Sequence, residues 1–312
     1  MIDYGTVSIL MGTYNGEAYI ERQLESIRAQ TYYNWVLYIS DDGSTDRTLD
    51  IVQAFASSFP AGKVNLMRGP GKGFAANFLS LLRNSGINTP YYAFGDQDDI
   101  WLDDKLEVSV SYVNDLEGKG NKFVLYGGRT ILIDNDMNQI GSSPLFQRKL
   151  AFNNALIQSF AGGNTMLFNR ALKKIVEQLP VEVEIVSHDW FLYILCSAVE
   201  GSVYYDKVAR ILYRQHDENL VGSNNSLSSK FIRLKKLFEG DFKKWLAKNE
   251  GFLSFYENDL TDHNKHILKK FRKCGGGNLF GRLNGFITAR LYRQSVIETA
   301  IFMLMSALNK LK

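Results

Sequence analysis

The sequence predicts an α/β protein: a doubly wound, mostly parallel sheet with helices on both faces, followed by a helical C-terminal extension. Strand-like and helix-like stretches alternate over the first hundred residues. A polar cluster follows each predicted strand of that stretch. Beyond residue 226 the sequence becomes basic and helical in pattern. We therefore expect a domain at 1–226, with halves at 1–100 and 101–226, and an extension at 227–312.

The first half alternates apolar runs with amphipathic ones. In the first predicted helix, Ile20, Leu24 and Ile27 share one face. Ser44 or Thr45 can cap the second helix, because a hydroxyl accepts from the free backbone N–H groups of the first turn. The predicted strands are 7–12, 35–40, 64–67 and 91–94, and the predicted helices are 17–30, 46–59 and 74–84.

The second half is less regular. We expect strands at 122–126 and 130–134, paired antiparallel around Gly127-Gly128, and a loop at 141–144. A tight turn is expected to lead into a buried strand over 162–168, and Ser187, His188 or Asp189 can cap an apolar helix. The remaining predictions are helices at 105 onward, 151–158, 172–179, 190–199, 230–246 and 287–308, and a strand at 202–205. The segment 209–216 follows, in which Arg214 and His216 come after a strand and before a loop.

Composition limits the function. The 312 residues are 45% apolar and 22% charged, which is enough for an ample core. A net charge of +3 gives no strong field for a nucleic acid, so no such partner is expected. Cys196 and Cys274 lack metal-type spacing and fit a reduced, cytoplasmic compartment. No signal-peptide pattern is present, and no apolar stretch reaches the ~20 residues of a membrane-spanning helix.

An acidic cluster, Asp96-Gln97-Asp98-Asp99, follows the fourth predicted strand. Three carboxylates this close repel one another unless a cation or donor network lies against them. A hard divalent ion, shared with a substrate diphosphate, would relieve that repulsion. The alternative is an acidic turn in solvent, since aspartate is common in turns.

Three further polar clusters stand at strand ends. They are Thr13-Tyr14-Asn15, Asp41-Asp42 and Gly71-Lys72-Gly73. Ligands of such sheets bind outside the carboxyl ends of the strands. The four clusters therefore predict one shared ligand site.

In this order and at these spacings, Thr13-Tyr14-Asn15, residues 41–46 and Asp96-Gln97-Asp98-Asp99 resemble the family 2 glycosyltransferases, which have the nucleotide-sugar-binding GT-A fold. Three later motifs resemble the bacterial branch that builds surface polysaccharides, including rhamnosyltransferases. They are Gly163-Asn164-Thr165-Met166, His188-Asp189-Trp190 and Tyr213-Arg214-Gln215-His216. The resemblance covers about residues 5–225.

The resemblance implies that the first half binds the nucleotide and the second half the acceptor. Asp41 would accept the N3–H of uracil or thymine, since a carboxylate only accepts; its alternative role is a turn cap. Lys72 would reach the base or phosphate, or remain a solvated loop lysine, and Asn77 would be a site or a surface residue. The full implied donor site is Thr13, Tyr14, Asn15, Glu17, Asp41, Lys72, Gly73, Asn77, Asp96, Gln97 and Arg214.

The resemblance also implies the metal and catalytic residues. Asp98 would bind Mg²⁺ or Mn²⁺, with Asp99 close by and His216 as a third ligand; a surface histidine is the alternative for His216. Asp189 would be the catalytic base that takes the acceptor proton, or else a helix cap. His188 and Trp190 would contact the acceptor, although Trp190 fits a core position equally well.

The predicted function is therefore an inverting, metal-dependent glycosyltransferase. It would move a sugar from a UDP- or dTDP-sugar, with dTDP-L-rhamnose among the candidates, to a lipid-linked saccharide in O-antigen or capsule synthesis. We expect it in the cytoplasm or on the inner face of the cytoplasmic membrane, where the basic helix at 230–246 would help it dock. The sugar, linkage and oligomeric state are left open.

Three other functions fit the sequence less well. A nucleotidyltransferase would share the sheet and metal, but usually carries a basic glycine-rich loop after its first strand. A non-catalytic sugar-nucleotide-binding homologue is disfavoured by the presence of Asp41, Asp98 and Asp189 together. An oxidoreductase is suggested only by a G-x-G-x-x-A pattern at residues 71–76, which follows the third strand instead of the first.

Overall fold

The computed structural model describes residues 2–215 and 241–311. Its first part confirms the predicted alternation of strands and helices, because each element lies within a few residues of its expected place. The elements are β1 (Val7–Thr13), α1 (Ile20–Arg28), β2 (Trp35–Asp41), α2 (Thr48–Ser57), β3 (Val64–Arg68), α3 (Phe74–Arg83) and β4 (Tyr91–Gly95).

The middle part forms shorter elements. They are β5 (Ile100–Trp101), α4 (Lys105–Gly118), β6 (Val124–Gly128), β7 (Ile131–Ile133), β8 (Gln139–Ser142), α5 (Phe152–Ala155), β9 (Leu167–Asn169), α6 (Arg170–Val176), α7 (His188–Ala198), β10 (Ser202–Asp206) and β11 (Ile211–Arg214). A short 3₁₀ turn, Gly163–Thr165, leads into β9 as predicted. The loop predicted at 141–144 is wrong in part, because its first two residues end β8.

The predicted antiparallel pairing across Gly127-Gly128 is wrong. β6 lies in the main sheet, whereas β7 belongs to a second sheet. The two glycines are buried inside β6 and form no turn. A Cβ on Gly127 would lie 2.7 Å from the ring of Phe160, so glycine here permits close packing of a ring on the strand.

The main sheet has the order β10-β6-β9-β4-β1-β2-β3. β3, β2, β1 and β4 are parallel, and β9 runs antiparallel between β4 and β6. β10 pairs in parallel with β6 at the far edge. A smaller sheet has the order β5-β11-β7-β8. The main sheet is thus mostly parallel, as predicted, and the carboxyl ends of β1, β2 and β4 meet at one edge.

The C-terminal part consists of α8 (Asp241–Phe255), α9 (Asp262–Arg272), α10 (Leu279–Thr288) and α11 (Val296–Ala307). The prediction of a single final helix over 287–308 is therefore wrong. Arg290 adopts a left-handed conformation (φ 51°), which no helix continues through, and Ser295 caps α11 by accepting from the Glu298 N–H. Residues 230–240 of the predicted basic helix lie outside the described residues.

These C-terminal helices share a hydrophobic core with the main sheet. Phe252 packs edge-on against Phe191 of α7, with ring centroids 4.8 Å apart. Phe242 packs between Trp190 and Phe302, so α8 bridges α7 and α11. Within the described residues, no helix combines the length and apolar character needed to cross a membrane.

Candidate functional site

The site begins where β1 and β2 end side by side. Thr13 pairs with Asp41 in the sheet register, and its hydroxyl donates to Asp41 Oδ2 at 2.8 Å. Asp41 is buried and also accepts from the Ser44 hydroxyl (2.6 Å) and from the backbone N–H groups of Gly43 and Ser44. Four donors satisfy the carboxylate. A nucleobase N–H would have to compete with these donors for the carboxylate, and the Ser44 hydroxyl that donates here also accepts from the Asn15 N–H at 2.9 Å.

The loops after β1 and β2 are locked together by Asn15 and Glu17. Asn15 Oδ1 accepts from the Thr45 N–H (2.9 Å), and Glu17 Oε2 accepts from the Arg47 N–H (2.9 Å). Both side chains therefore position the loops. Tyr14, between them, exposes more than half of its ring and remains the residue available to stack on a base.

Gln97 ties the acidic loop to the loop after β1. Its Oε1 accepts from the Tyr14 N–H and its Nε2 donates to the Tyr14 carbonyl, both at 2.9 Å. The amide is thus fully engaged with backbone. Gln97 therefore bridges the two loops and fixes the Tyr14 backbone.

The glycine-flanked loop is held by Asp42. Its carboxylate accepts from the N–H groups of Gly71 and Gly73, each at 2.7 Å, and both glycines adopt positive φ. Lys72 at the tip is exposed, and so is Gly73. Asn77 is buried, which excludes the surface alternative, and its Nδ2 donates to the Ser40 carbonyl at 2.7 Å.

The acidic cluster lies at the end of β4. Burial, with the charges of Asp98 and Asp189, raises the pKa of Asp96 to about 8. Burial, with the charges of Asp98 and Asp96, raises the pKa of the Asp99 carboxyl well above its usual range. Asp99 Oδ2 accepts from the Asn164 amide, whereas its buried Oδ1 has no hydrogen-bond partner among the described residues. The cluster thus gathers three carboxyl groups in a partly buried position at the end of β4.

Asp189 faces the same region from the first turn of α7. The helix begins at His188 and its N-cap is Ser187, so Asp189 is not the capping residue. Burial is the main cause of the raised pKa values of Asp96 and Tyr213, and the charge of the nearby Asp189 contributes to both. Three chain segments, the β4 loop, β11 and α7, therefore converge here.

His188 points away from this region and into the core. Its ring stacks on Phe78, with centroids 3.9 Å apart, and meets Phe94 edge-on at 4.6 Å. Burial lowers its pKa to about 4, and neither ring nitrogen has a hydrogen-bond partner among the described residues. This placement supports a packing role beneath Asp189 and leaves no ring nitrogen facing an acceptor.

Trp190 is a core residue. Only 6% of it is exposed, and its indole N–H donates to the Ala155 carbonyl at 2.7 Å. Because its polar atom and its ring are both engaged, Trp190 is not retained among the acceptor-binding candidates.

Arg214 is buried behind the acidic loop. Its guanidinium donates to the backbone carbonyls of Asp98, Asp134 and Asn135, each at 3.3 Å, and lies over the Tyr19 ring. It therefore holds the backbone of Asp98 in place, although the resemblance had put Arg214 in the donor site. The prediction for His216 falls outside the described residues.

Sequence reasoning missed Lys105 and Asn164 as members of the site. Lys105 is buried on α4, and its Nζ lies 3.5 Å from the centroid of the Trp101 ring. Burial lowers its pKa to about 7, while the charges of Asp99 and Asp96 act to raise it. The available signal was the spacing of four residues between Trp101 and a lysine on an otherwise apolar helix face. Asn164 holds Asp99, and its signal was the motif at 163–166.

The residues present fit a hard divalent cation. The unpartnered, buried Asp99 Oδ1 and the mutual repulsion of Asp96, Asp98 and Asp99 would both be relieved by one. Over 2–215 and 241–311, however, no three His, Cys, Asp or Glu side chains form a group that could hold a metal ion by themselves. Mg²⁺ and similar ions often bind to one or two carboxylates together with substrate phosphates, and that arrangement suits this cluster.

Residues 8–176 match the family model described as glycosyl transferase family 2. The chain is similar to the dTDP-rhamnosyl transferase RfbG of Shigella flexneri, with 33% identity over 80% of this chain and 88% of that protein. It is also similar to an Escherichia coli enzyme, the UDP-Glc:alpha-D-GlcNAc-diphosphoundecaprenol beta-1,3-glucosyltransferase WfgD. That identity is 34%, over 55% of this chain and 63% of the other.

Two solved structures share the fold. TarS 1-349 of S. aureus in complex with UDP superposes with a TM-score of 0.54 at 13% identity, covering 98% of this chain and 88% of that one. GalNAc-T7 with UDP, GalNAc and Mn²⁺ gives a TM-score of 0.54 at 12% identity, covering 96% of this chain and 57% of that one. At these identities the likeness is one of fold.

Proposed function

The chain belongs to glycosyl transferase family 2, and we propose that it transfers a sugar, with inversion, from a UDP- or dTDP-sugar to a lipid-linked saccharide. The name of the Shigella relative makes dTDP-rhamnose the first donor to test. The name of the E. coli relative, which acts on a diphosphoundecaprenol-linked sugar, makes a polyprenyl-diphosphate saccharide the first acceptor. Such acceptors carry bacterial surface polysaccharides such as O-antigen or capsule.

One observation carries the proposal. The acidic loop after β4 and the first turn of α7 bring Asp96 and Asp189 close enough for one charge to shift the pKa of the other. The ends of β1 and β2, with Thr13 and Asp41, lie in the same sheet next to β4. A nucleotide held at β1 and β2 would thus direct its diphosphate to the carboxylates and its sugar toward Asp189.

Asp189 is the proposed base. The acceptor hydroxyl oxygen forms a bond to the anomeric carbon on the face opposite the diphosphate, and its proton passes to the Asp189 carboxylate. The bond between the anomeric carbon and the diphosphate oxygen breaks, and its electron pair leaves with the nucleoside diphosphate. General-base transfer of this kind contributes typically ~10²–10⁴-fold to rate. Asp189 is partly buried, at the start of a helix whose dipole favours its ionised form.

Asp98 and Asp99 are proposed to hold Mg²⁺ or Mn²⁺, with Asp96 beside the ribose. When bound, such an ion neutralises the negative charge that develops on the leaving diphosphate. Arg214 supports this assignment indirectly, since it fixes the Asp98 backbone through a 3.3 Å hydrogen bond. His216 remains a candidate third ligand. The Mn²⁺ complex of a fold neighbour is consistent with this choice of metal.

Donor recognition is proposed to rest on fewer side chains than the sequence implied. Tyr14 supplies the stacking ring, and Asp41 accepts the base N–H in place of one of its present donors. Asn15, Glu17, Gln97 and the Asp42-held glycine loop with Lys72 and Gly73 shape the pocket. We propose that 1–100 forms the nucleotide half, that 101–226 forms the acceptor half, and that 227–312 is an extension.

The test is calorimetry of the full chain against UDP-, dTDP-, GDP- and CMP-sugars, with and without Mn²⁺. The proposal expects binding of a UDP- or dTDP-sugar that strengthens at least about tenfold with Mn²⁺. Preference for GDP or CMP, or binding that ignores the metal, would contradict the base and metal assignments. Binding without any transfer to lipid-linked saccharides would favour the non-catalytic homologue.

A further inference from the structure

The last two helices carry an apolar surface that faces solvent. On α10, Phe280 is 80% exposed, and Leu279 and Ile287 are also exposed. On α11, Val296 and Ile297 are 75% and 74% exposed. The outer apolar face consists of the exposed large apolar side chains Leu279, Phe280, Ile287, Val296, Ile297, Met303, Leu304 and Leu308.

The two helices form an antiparallel pair, so the exposed apolar residues lie on two neighbouring helices. Arg282, near the start of α10, donates to the carbonyls of Ser306 and Ala307 at the end of α11, at 3.0 and 2.7 Å. The other ends are joined by residues 289–295. Phe280 therefore lies near the end of α11, and Ile287 lies near its start. The inner sides of the pair hold Phe286 and Phe302 in the core.

A solvent-facing helix surface normally carries polar residues. The outer side of α11 has one charged residue, Glu298, and that carboxylate pairs with Arg293 at 2.9 Å. Apolar patches of this kind mark sites of association. A helix of 12 residues is about 18 Å long, too short to cross a hydrocarbon layer of about 30 Å. The face is therefore suited to lie against an apolar surface.

The charge around this face selects the partner. Residues 263–311 contain nine lysines or arginines and one carboxylate, Glu298, although the whole chain has a net charge of only +3. Lys269, Lys273, Arg290 and Lys310 are exposed. An apolar helix face bordered by cations matches an anionic lipid surface. A symmetric dimer would instead set these cations against their own copies.

The connector between the helices links this face to the candidate active site. Arg293 donates to the Ile157 carbonyl (2.6 Å), and Asn154 of α5 donates to the Tyr292 carbonyl (2.9 Å). α5 in turn supports α7, because Trp190 donates to Ala155. Hydrogen bonds thus connect the segment between α10 and α11 to α5, and α5 to α7, which carries Asp189.

We propose that the outer apolar face docks on an anionic lipid membrane, with the surrounding lysines and arginines at the headgroups. The proposal deepens the proposed function, since it relies on a lipid-linked acceptor for its purpose. Docking itself needs neither donor nor acceptor. The two ideas can therefore fail separately.

The experiment is flotation of the full chain with vesicles of phosphatidylcholine alone or enriched in phosphatidylglycerol. The test variant is Phe280→Glu with Ile297→Glu. The matched control is Val181→Glu with Val208→Glu, which adds the same charge at two apolar residues that are also exposed but lie elsewhere. Circular dichroism and donor calorimetry without vesicles establish that each variant is folded.

Wild type and control are expected to bind phosphatidylglycerol vesicles, less so in high salt, and the test variant to bind at least about tenfold more weakly. Absent binding by wild type, or equal binding by the test variant, would overturn the proposal. The proposal would also be overturned if wild type did not bind vesicles but formed a concentration-dependent dimer in sedimentation, and if the test variant did not form that dimer. If the chain bound vesicles but no nucleotide-sugar donor, the proposed transferase function would be refuted and the proposed membrane contact would be retained.

Discussion

Replacing Gly163 by alanine tests the packing of His188 against Gly163, beneath Asp189. A Cβ at this position would lie 2.1 Å from His188 Nε2, and 2.9 and 3.0 Å from the ring carbons Cδ2 and Cε1. The His188 ring cannot retreat, because Phe78 stacks on it and Phe94 closes its edge. Overpacking of this kind typically costs ~1–3 kcal/mol. We expect that loss in the free energy of unfolding of Gly163→Ala.

The same change should disturb catalysis, because His188 and Asp189 share the first turn of α7. A displacement of about 1 Å at a reacting group can cost on the order of 10²-fold in rate. The assays are urea denaturation and sugar transfer. The matched control is Gly251→Ala on α8, where a Cβ meets open space and helix propensity should add ~0.5–1 kcal/mol.

A double variant isolates the contact. His188→Ala removes the imidazole that the new Cβ would meet, so in that background the added cost of Gly163→Ala should fall to within about 0.5 kcal/mol of zero. If Gly163→Ala is as stable as wild type, or if its cost is unchanged without the imidazole, the packing described for His188 is wrong.

Three further predictions concern charge. Asp99→Asn should abolish the Mn²⁺ dependence of donor binding in calorimetry, whereas Asp103→Asn, on an exposed neighbour, should not. Burial lowers the pKa of His188 from 6.5 to about 4, so the folded protein keeps this histidine neutral and loses stability as pH falls from 6.5 to 4. Urea denaturation should show a loss of up to about 3 kcal/mol in the free energy of unfolding over this range, and His188→Phe should remove that loss. Lys105→Met should raise the pKa of Asp96 further above about 8 and move the acid limb of Mn²⁺-dependent donor binding to higher pH; an unmoved limb would show that Lys105 does not balance the cluster.

The sheet was predictable from sequence because its signals are local. Continuous apolar runs such as residues 7–12 and 91–94 bury both faces of a strand, and polar residues at each exit mark the carboxyl ends. Those two facts predicted which side chains share an edge. They explain why Thr13 and Asp41, at the ends of β1 and β2, lie side by side as register partners.

Other features depend on contacts between distant residues. The glycines at 127–128 resemble a turn in sequence, yet Gly127 lies against the ring of Phe160, more than thirty residues away, and Gly128 lies against Asp206. The histidine at 188 follows a site-like pattern, but its surroundings are Phe78 and Phe94 on other elements. No periodicity or spacing in the sequence encodes such neighbours.

The sequence also could not predict which residues of the donor site face a ligand and which hold the loops in place. A motif indicates that Gln97 and Asn15 belong to the site, but not whether their amides face a ligand or the backbone. Both amides are engaged by backbone groups of the adjoining loops. The buried Lys105 was missed for a related reason, since a lysine at the start of a helix is ordinarily solvated.

The most direct measurement of the central claim is the rate of sugar transfer by Asp189→Asn, with donor affinity measured on the same sample. The account predicts a fall of ~10²–10⁴-fold in kcat, because the amide cannot take the acceptor proton. It also predicts a donor dissociation constant within about threefold of wild type, since Asp189 acts on the acceptor side. Near-normal transfer with unchanged donor binding would contradict the assignment of Asp189 as the catalytic base.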